Sequence, residues 1–294
     1  MLEFVFWDVQ HGSACYIHTP NDRHIAMDLG TGSYGTGKPF SPLLHLKNRY
    51  GVARLDYVVI THPHRDHLDD IFNFSEVNPK ALRRPGHLSE SDVLAGNKKE
   101  DAEKVKEYLK VKAGYMGFVT PGSSSDAETP EQWGDVKMSF FVTPDCDTKN
   151  LNNHSIVTVF EYATSKIIIP GDNEKESWGM LIKDQRFVTA AQRPDVLVAP
   201  HHGRQSGYCQ ALFDAVGKPY ITIISDGPYC DSSATDCYGG QSKGWLVYYP
   251  GDTSEQRYCV TTRQDGVIRV RAYFASDGKP RLNVLVQRCT ATKC

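Results

Sequence analysis

Hydrophobic positions in the first third of the chain fall in short runs rich in β-branched and aromatic residues. The runs "EFVFWDV", "ACYIHT", "HIAMDLG" and "LDYVVIT" are separated by Gly, Pro and Asn-Asp turn signals, which predicts neighbouring strands. The "TPNDRH" between the second and third predicts a tight hairpin. Helices are predicted over "FSPLLHLKNRYG", stopped by Gly51, and over "DAEKVKEYLKVKAG", with acids early, lysines late and Gly114 beyond its end. Residues 121–135, "PGSSSDAETPEQWGD", read as an exposed excursion. Strand patterning then resumes in "VKMSFFVTP", "SIVTVFEYA", "KIIIPGD", "PDVLVAPHHG" and "PYITIISDG", interspersed with helix candidates near 174–184 and 207–217. The tail "GVIRVRAYFASDGKPRLNVLVQR" predicts a hairpin turning at Ser276 to Lys279. No repeat or linker divides the chain, so residues 1–294 are expected to form one α/β sandwich whose strand ends carry the chemistry.

Composition narrows the partners. The chain has 294 residues, enough to bury a core without needing a metal to hold it together. With 33 basic against 35 acidic residues and a net charge of −2, no global field recruits nucleic acid or an anionic membrane. The N-terminal "MLEFVFWDVQHG" contains Glu3 and Asp8 in place of a basic leader, and no window reaches about 18 uncharged apolar residues. A cytoplasmic protein with no membrane partner is expected. The cysteines at 15, 146, 209, 230, 237, 259, 289 and 294 show no Cys-x-x-Cys spacing and read as reduced, mostly buried thiols. Only Cys230 and Cys237 are close enough for a local bridge, which is not expected.

The chemistry concentrates in "THPHRDH", which follows an apolar, β-branched run. His62, His64, Asp66 and His67 should therefore lie on a loop at the C-terminal end of a strand, where a rigid sheet can aim several ligands at one point. Imidazole and carboxylate are donors for zinc, manganese or iron, and a site without cysteine keeps the ion exchangeable and water-bearing. The alternate spacing lets His62 and His64 share one metal while Asp66 and His67 reach a second. Further donors are then required downstream. They occur as His154 before a strand, Asp172 after one, and His201 and His202 after another. His62, His64, His67, His154, His201 and His202 make six of the eleven histidines, and all fall in three strand-edge segments.

"THPHRDH" has the form His-x-His-x-Asp-His and resembles the motif of the metallo-β-lactamase superfamily. "DVQHGSACYIHTPNDRHIAMDLG" resembles its opening hairpin and Asp-x-Gly. "NNHSIVTVF", "IIIPGD", "VLVAPHHGRQSG" and "YCVTTRQDGVIRV" are similar to the later motifs of its branch containing the hydrolase domain of the competence protein ComEC and the phosphorylcholine esterases. The resemblance covers nearly the whole chain and implies a four-layer αββα sandwich binding two divalent ions, Zn²⁺ first, with Mn²⁺ or Fe²⁺ as alternatives. It implies one metal on His62 and His64, and a second on Asp66, His67 and His201, bridged by Asp172. Asp28 would steady the histidine loop. The third ligand of the first metal falls in "NNH", with His154 as candidate and Asn152 and Asn153 as alternatives.

Two such ions suit phosphodiester hydrolysis by a bridging hydroxide, with Asp66 orienting it or taking its proton. His202 would contact phosphate, protonate the leaving alkoxide or only hydrogen-bond to its neighbours. Arg204 and Ser206 are candidate phosphate contacts. The expected function is a dinuclear phosphodiesterase or nuclease acting on a phosphodiester, DNA or RNA included. If Lys80, Arg83 and Arg84 flank the cleft, they would track a nucleic-acid backbone. The alternatives are hydrolysis of a small phosphoester, carboxylic ester or lactam, and a non-catalytic scaffold subunit of a multiprotein assembly, for example in defence. Protein partners are not written in any motif.

Overall fold

The computed structural model describes residues 1–31, 39–117, 119–227 and 232–287. The chain first lays down β1 (Leu2–Phe6), β2 (Cys15–His18), β3 (His24–Met27), β4 (Tyr57–Val59) and β5 (Leu82–Arg83) as one side of a sheet. It then builds a second sheet from β6 (Lys137–Phe141), β7 (Val157–Tyr162), β8 (Ser165–Ile169), β9 (Val196–Val198) and β10 (Ile221–Ile224). The hairpin β11 (Trp245–Tyr249) and β12 (Thr253–Arg257) returns to the first sheet, β13 (Cys259–Thr261) joins the second, and β14 (Val267–Phe274) and β15 (Pro280–Gln287) complete the first. The larger sheet runs β12-β11-β15-β14-β1-β2-β3-β4-β5 and the smaller β13-β10-β9-β8-β7-β6.

Successive strand residues point to opposite faces, so one strand feeds two cores. Phe4, Ile25, Ile167, Ile169 and Val196 fill the space between the sheets. Their neighbours Val5 and Ala26 face α1 (Pro42–Arg49), with α3 (Glu90–Ala95) and α4 (Ala102–Gly114) on the same outer face. Ile168 and Leu197 face α5 (Lys175–Leu181), α6 (Gln185–Ala191), α7 (Gln210–Val216) and α8 (Thr235–Gly240) on the other. The result is the four-layer αββα sandwich that the resemblance implied. Because these strands are buried on both faces, they read as unbroken apolar runs rather than alternations. Burying each such Ile, Val or Phe contributes about 1.5–3 kcal/mol.

Two short helices remain: α2 (Arg65–Leu68), directly after β4, and α9 (Thr262–Asp265), between β13 and β14. Asp66 and His67 therefore sit on a helical turn rather than in a loop. Residues 121–135 lie mostly exposed or half-buried, but the segment is anchored to the core at two points. Trp133 in that stretch is fully buried with Ala127, and its Nε1–H donates to the Asp126 carbonyl at 2.7 Å. The helix expected near 174–184 ends at Leu181, and a separate helix, α6, follows, opened by Asp184 accepting from the Arg186 amide at 2.9 Å. The β11–β12 hairpin was not expected. Of its ten residues only Val247 is buried: β11, "WLVYY", is an apolar run left largely at the surface, and β12, "TSEQR", carries no apolar signal.

The terminal hairpin turns where expected, with Phe274 opposite Pro280. Cys15, Cys146, Cys209, Cys237 and Cys259 are free thiols, the first two buried. Cys230 lies outside the described residues, as do Cys289 and Cys294. Among the described residues no helix is long and apolar enough to cross a membrane.

Candidate metal centre

Strand direction assembles the site. β3 and β4 run parallel, as do β8, β9 and β10, so their C-terminal ends open on one edge of the sandwich. Asp28 follows β3, the 62–67 segment follows β4, Asp172 follows β8, His201 and His202 follow β9, and Ser225 follows β10. Ligands commonly bind outside the carboxyl ends of parallel strands.

At that edge Asp66, His67, Asp172 and His202 each offer a ligand atom, all within 4.8 Å of one another. His67 Nε2 lies 3.2 Å from Asp172 Oδ1 and 3.4 Å from His202 Nε2. His202 Nε2 lies 3.2 Å from Asp66 Oδ2 and 3.3 Å from Asp172 Oδ2. His62 adjoins the group, with Nε2 3.9 Å from Asp172 Oδ2 and 3.0 Å from His64 Nδ1. Asp172 thus turns one oxygen to His67 and the other towards His62 and His202.

The outer nitrogens are held as a metal site requires. His67 Nδ1 donates to Asp28 Oδ2 at 2.8 Å, and His202 Nδ1 donates to the Ser225 carbonyl at 3.0 Å. Each imidazole therefore directs Nε2 into the cluster, a donor set of two nitrogens and two carboxylates suited to a divalent ion. Asp28 also accepts from the Thr61 amide at 2.8 Å, tying the end of β3 to the end of β4. Asp28→Asn is expected to weaken metal retention about 10- to 100-fold, because the His67 ring loses its anionic anchor. Metal-buffered dialysis followed by elemental analysis measures this, and unchanged affinity would remove Asp28 from the role.

Burial is the largest single effect on His67 and His202 and opposes their charge, but the carboxylates together outweigh it, Asp172 with Asp28 at His67 and Asp172 with Asp66 at His202. His67 rises well above its ordinary value and His202 rises to about 10. For Asp66 and Asp172 burial likewise opposes ionisation, but the paired histidines hold both carboxyls well below the usual range. His62 and His64 are pushed down, chiefly by burial. In metal-free protein His202 contributes stability that is complete below its ordinary 6.5 and lost as the pH rises through about 10. Asp66 and Asp172 contribute stability present above their ordinary 3.8 and lost in stronger acid. The melting temperature of chelated protein is therefore expected to be highest between those limits and to fall on either side. A flat profile from thermal melts across that range would contradict the pairing.

The structure separates the two adjacent histidines, and His202, not His201, joins the ligand group. His201 Nδ1 turns to Glu174 Oε1 at 2.9 Å and Ser206 Oγ at 2.7 Å. The cause is backbone conformation, since His201, His202 and Gly203 have φ of 50°, 53° and 71°. A left-handed turn sends neighbouring side chains apart, at about 1–3 kcal/mol for each non-glycine residue, a cost typical of functional sites. At Gly203 a Cβ would lie 2.7 Å from the Ile224 side chain.

His154 does not join the group either. It is fully buried, with Nδ1 2.9 Å from His87 Nε2. Of "NNH", it is Asn152 that lies beside His64 and lines the cleft, while Asn153 Nδ2 donates to Glu176 at 2.9 Å. Arg204 reaches His11 Nδ1 at 3.4 Å, and Ser206 holds His201.

His11 was missed by sequence reasoning. Its Nε2 lies 3.3 Å from Asp66 Oδ2, its ring stands 4.9 Å from that of His202, and burial, reinforced by His202, lowers it to about 4. The signal was the His-Gly pair just beyond the first strand. Glu174 was missed too. Its contact with His201 holds it down to about 2. Gly30 explains the close packing beneath the cluster, because a Cβ there would lie 2.7 Å from the Asp66 carbonyl oxygen.

The centre opens on a cleft of about 550 Å³ whose lining includes His11, His64, Asp66, Asp172 and His201. Arg65 and Lys104 on its wall are paired with Asp69. Lys80, Arg83 and Arg84 are not among the lining residues. Lys80 pairs with Asp56 and Arg83 with Glu128, and Arg84 donates to the carbonyls of Lys112 and Tyr115. The backbone-tracking role expected for them therefore has no support in their placement.

No family model matches the chain, and no curated protein matches it. Among solved structures it is similar to a protein from Thermotoga maritima, named as a candidate Zn-dependent hydrolase of the metallo-β-lactamase superfamily. The identity is 13%, over 88% of this chain and 97% of that one, with a TM-score of 0.43. It is also similar to a variant of the β-hydroxylase CmlA, at 12% identity over 76% of this chain and 46% of that one, with a TM-score of 0.44. The side-chain geometry, rather than these likenesses, carries the functional argument.

Proposed function

We propose that this protein is a metal-dependent hydrolase of metallo-β-lactamase type, similar to the branch of the competence-protein hydrolase domain, and that it acts on compact phosphodiesters. The observation that carries this reading is the convergence of Asp66, His67, Asp172 and His202 beside a cleft that Asp66 and Asp172 line, with His62 and His64 alongside. Asp66, His67, Asp172 and His202 would hold one divalent ion, and His62 and His64, sharing Asp172, a second. Bound there, such ions lower the pKa of a water towards neutrality and polarise a phosphoryl oxygen, chemistry that zinc and manganese both supply.

The remaining tasks belong to the chain. Asp28 and the Ser225 carbonyl fix the two imidazoles so that little reorganisation is needed. His201 lines the cleft and is held through Nδ1 by Glu174 and Ser206, which leaves Nε2 to pass a proton to the departing alkoxide. A compact substrate is favoured over a nucleic-acid strand because the cations of the cleft wall are already paired, Arg65 with Asp69 and Asp101, Lys104 with Asp69 and Lys98 with Glu100.

The test is hydrolysis of bis-p-nitrophenyl phosphate and of single-stranded DNA after chelation and after return of Zn²⁺ or Mn²⁺. Turnover lost on chelation, regained with one ion and stronger on the small diester supports the proposal. Turnover indifferent to chelation, or none with either ion, refutes it.

A further inference from the structure

A second group of ligand-type side chains lies on the β2–β3 hairpin. His18 and His24 are cross-strand partners with rings stacked 5.2 Å apart at 7°. Asp22, in the turn between them, places Oδ1 2.8 Å from His18 Nε2. His18, Asp22 and His24 each offer one ligand atom, all within 4.8 Å of one another. We propose that this hairpin is a separate binding site for a first-row divalent ion, with His18, Asp22 and His24 as its three protein ligands and water completing the shell.

The donor set is two imidazoles and one carboxylate, which suits Zn²⁺, Ni²⁺ or Cu²⁺ and not the harder Mg²⁺ or Ca²⁺. The histidines are positioned in advance. The hydroxyl of buried Tyr16 lies 2.7 Å from His24 Nδ1, leaving Nε2 as the open nitrogen, and the Tyr16 ring stacks against both imidazoles. Asp22 has φ 63°, and its amide donates to the Thr19 carbonyl at 3.2 Å, which closes the turn.

The hairpin tip is anchored from outside as well. Asn21 Nδ2 donates to the Gln132 carbonyl at 3.0 Å, and the Arg23 guanidinium sits 4.8 Å from the Trp133 ring centre. An exposed His–Asp pair on its own does not call for a second imidazole stacked on the first. His24 opens β3 and Asp28 follows its end, which puts this group about 13 Å along the strand from the metal centre. The inference is thus independent of the proposed hydrolysis.

The experiment equilibrates the full chain with buffered Zn²⁺ alone and counts bound metal per chain in wild type, His18→Ala and Asp22→Asn. Wild type is expected to bind one equivalent more than His18→Ala. Asp22→Asn is expected to weaken that equivalent about tenfold or more, since losing a ligand should cost at least as much as losing a ligand's neighbour. The Asp22 side chain is 84% exposed, so its replacement tests binding without threatening the fold. Both variants should keep the hydrolytic activity of wild type, and Asp172→Ala should keep the hairpin ion. Equal stoichiometry and affinity in wild type, His18→Ala and Asp22→Asn would overturn the site.

Discussion

Asp172→Ala is expected to release most of the bound metal and to lower hydrolysis of bis-p-nitrophenyl phosphate by more than about 100-fold. The size follows from position. Loss of a group that merely supports a metal ligand costs about 10- to 100-fold, and Asp172 faces three histidines of the cluster at once. Without it His67 and His202 face each other at 3.4 Å with only Asp66 left in the group of four to balance them. Asp172→Asn keeps the shape and removes the charge, so it should lose activity similarly while folding normally by circular dichroism. Near-normal metal content and turnover in both variants would show that the cluster is not the reaction centre.

Trp133→Ala is expected to destabilise the protein by about 3–5 kcal/mol, the usual cost of deleting a buried indole and leaving its cavity. That is a large part of the about 5–15 kcal/mol by which domains are stable. Trp133 is fully buried, packs edge-on against Tyr57 at 5.8 Å and supports the Arg23 side chain. Its indole N–H, bonded to the Asp126 carbonyl, folds the 121–135 segment back on itself. Denaturant unfolding measures the loss, and a change below about 1 kcal/mol would restore the view of this segment as a loose excursion. Hydrolysis by the folded variant should persist, because the indole belongs to the core between the sheets and is not among the cleft-lining residues.

Trp133 shows where reading from sequence stops. One indole among Gly, Ser, Pro and acidic residues carries no periodicity, and only the partner surface supplied by Arg23 and Tyr57, distant in the chain, makes it a core residue. Half of the β11–β12 hairpin was illegible for a related reason, since β12, "TSEQR", has no apolar pattern, whereas β11, "WLVYY", carries a strand signal that was passed over. The two strands pair through backbone hydrogen bonds at the sheet edge and bury little. His11 was passed over because a lone histidine after a strand has no meaning until Asp66 and His202 are brought beside it.

By itself the chain determined the strand runs, the terminal hairpin, and the grouping of His62, His64, Asp66 and His67, since alternation, turn chemistry and ligand spacing are local properties. It also marked Asp172 and the histidine pair at 201 and 202 as strand-end donors. Tertiary structure alone decided which donors meet. Parallel strands carried Asp28, Asp172 and Ser225 to one edge, and the left-handed turn at 201–203 selected His202 for the cluster and gave His201 to Glu174. Burial beside His87 withdrew His154. Those choices depend on backbone dihedrals and on contacts between residues far apart in sequence, and no local pattern encodes them.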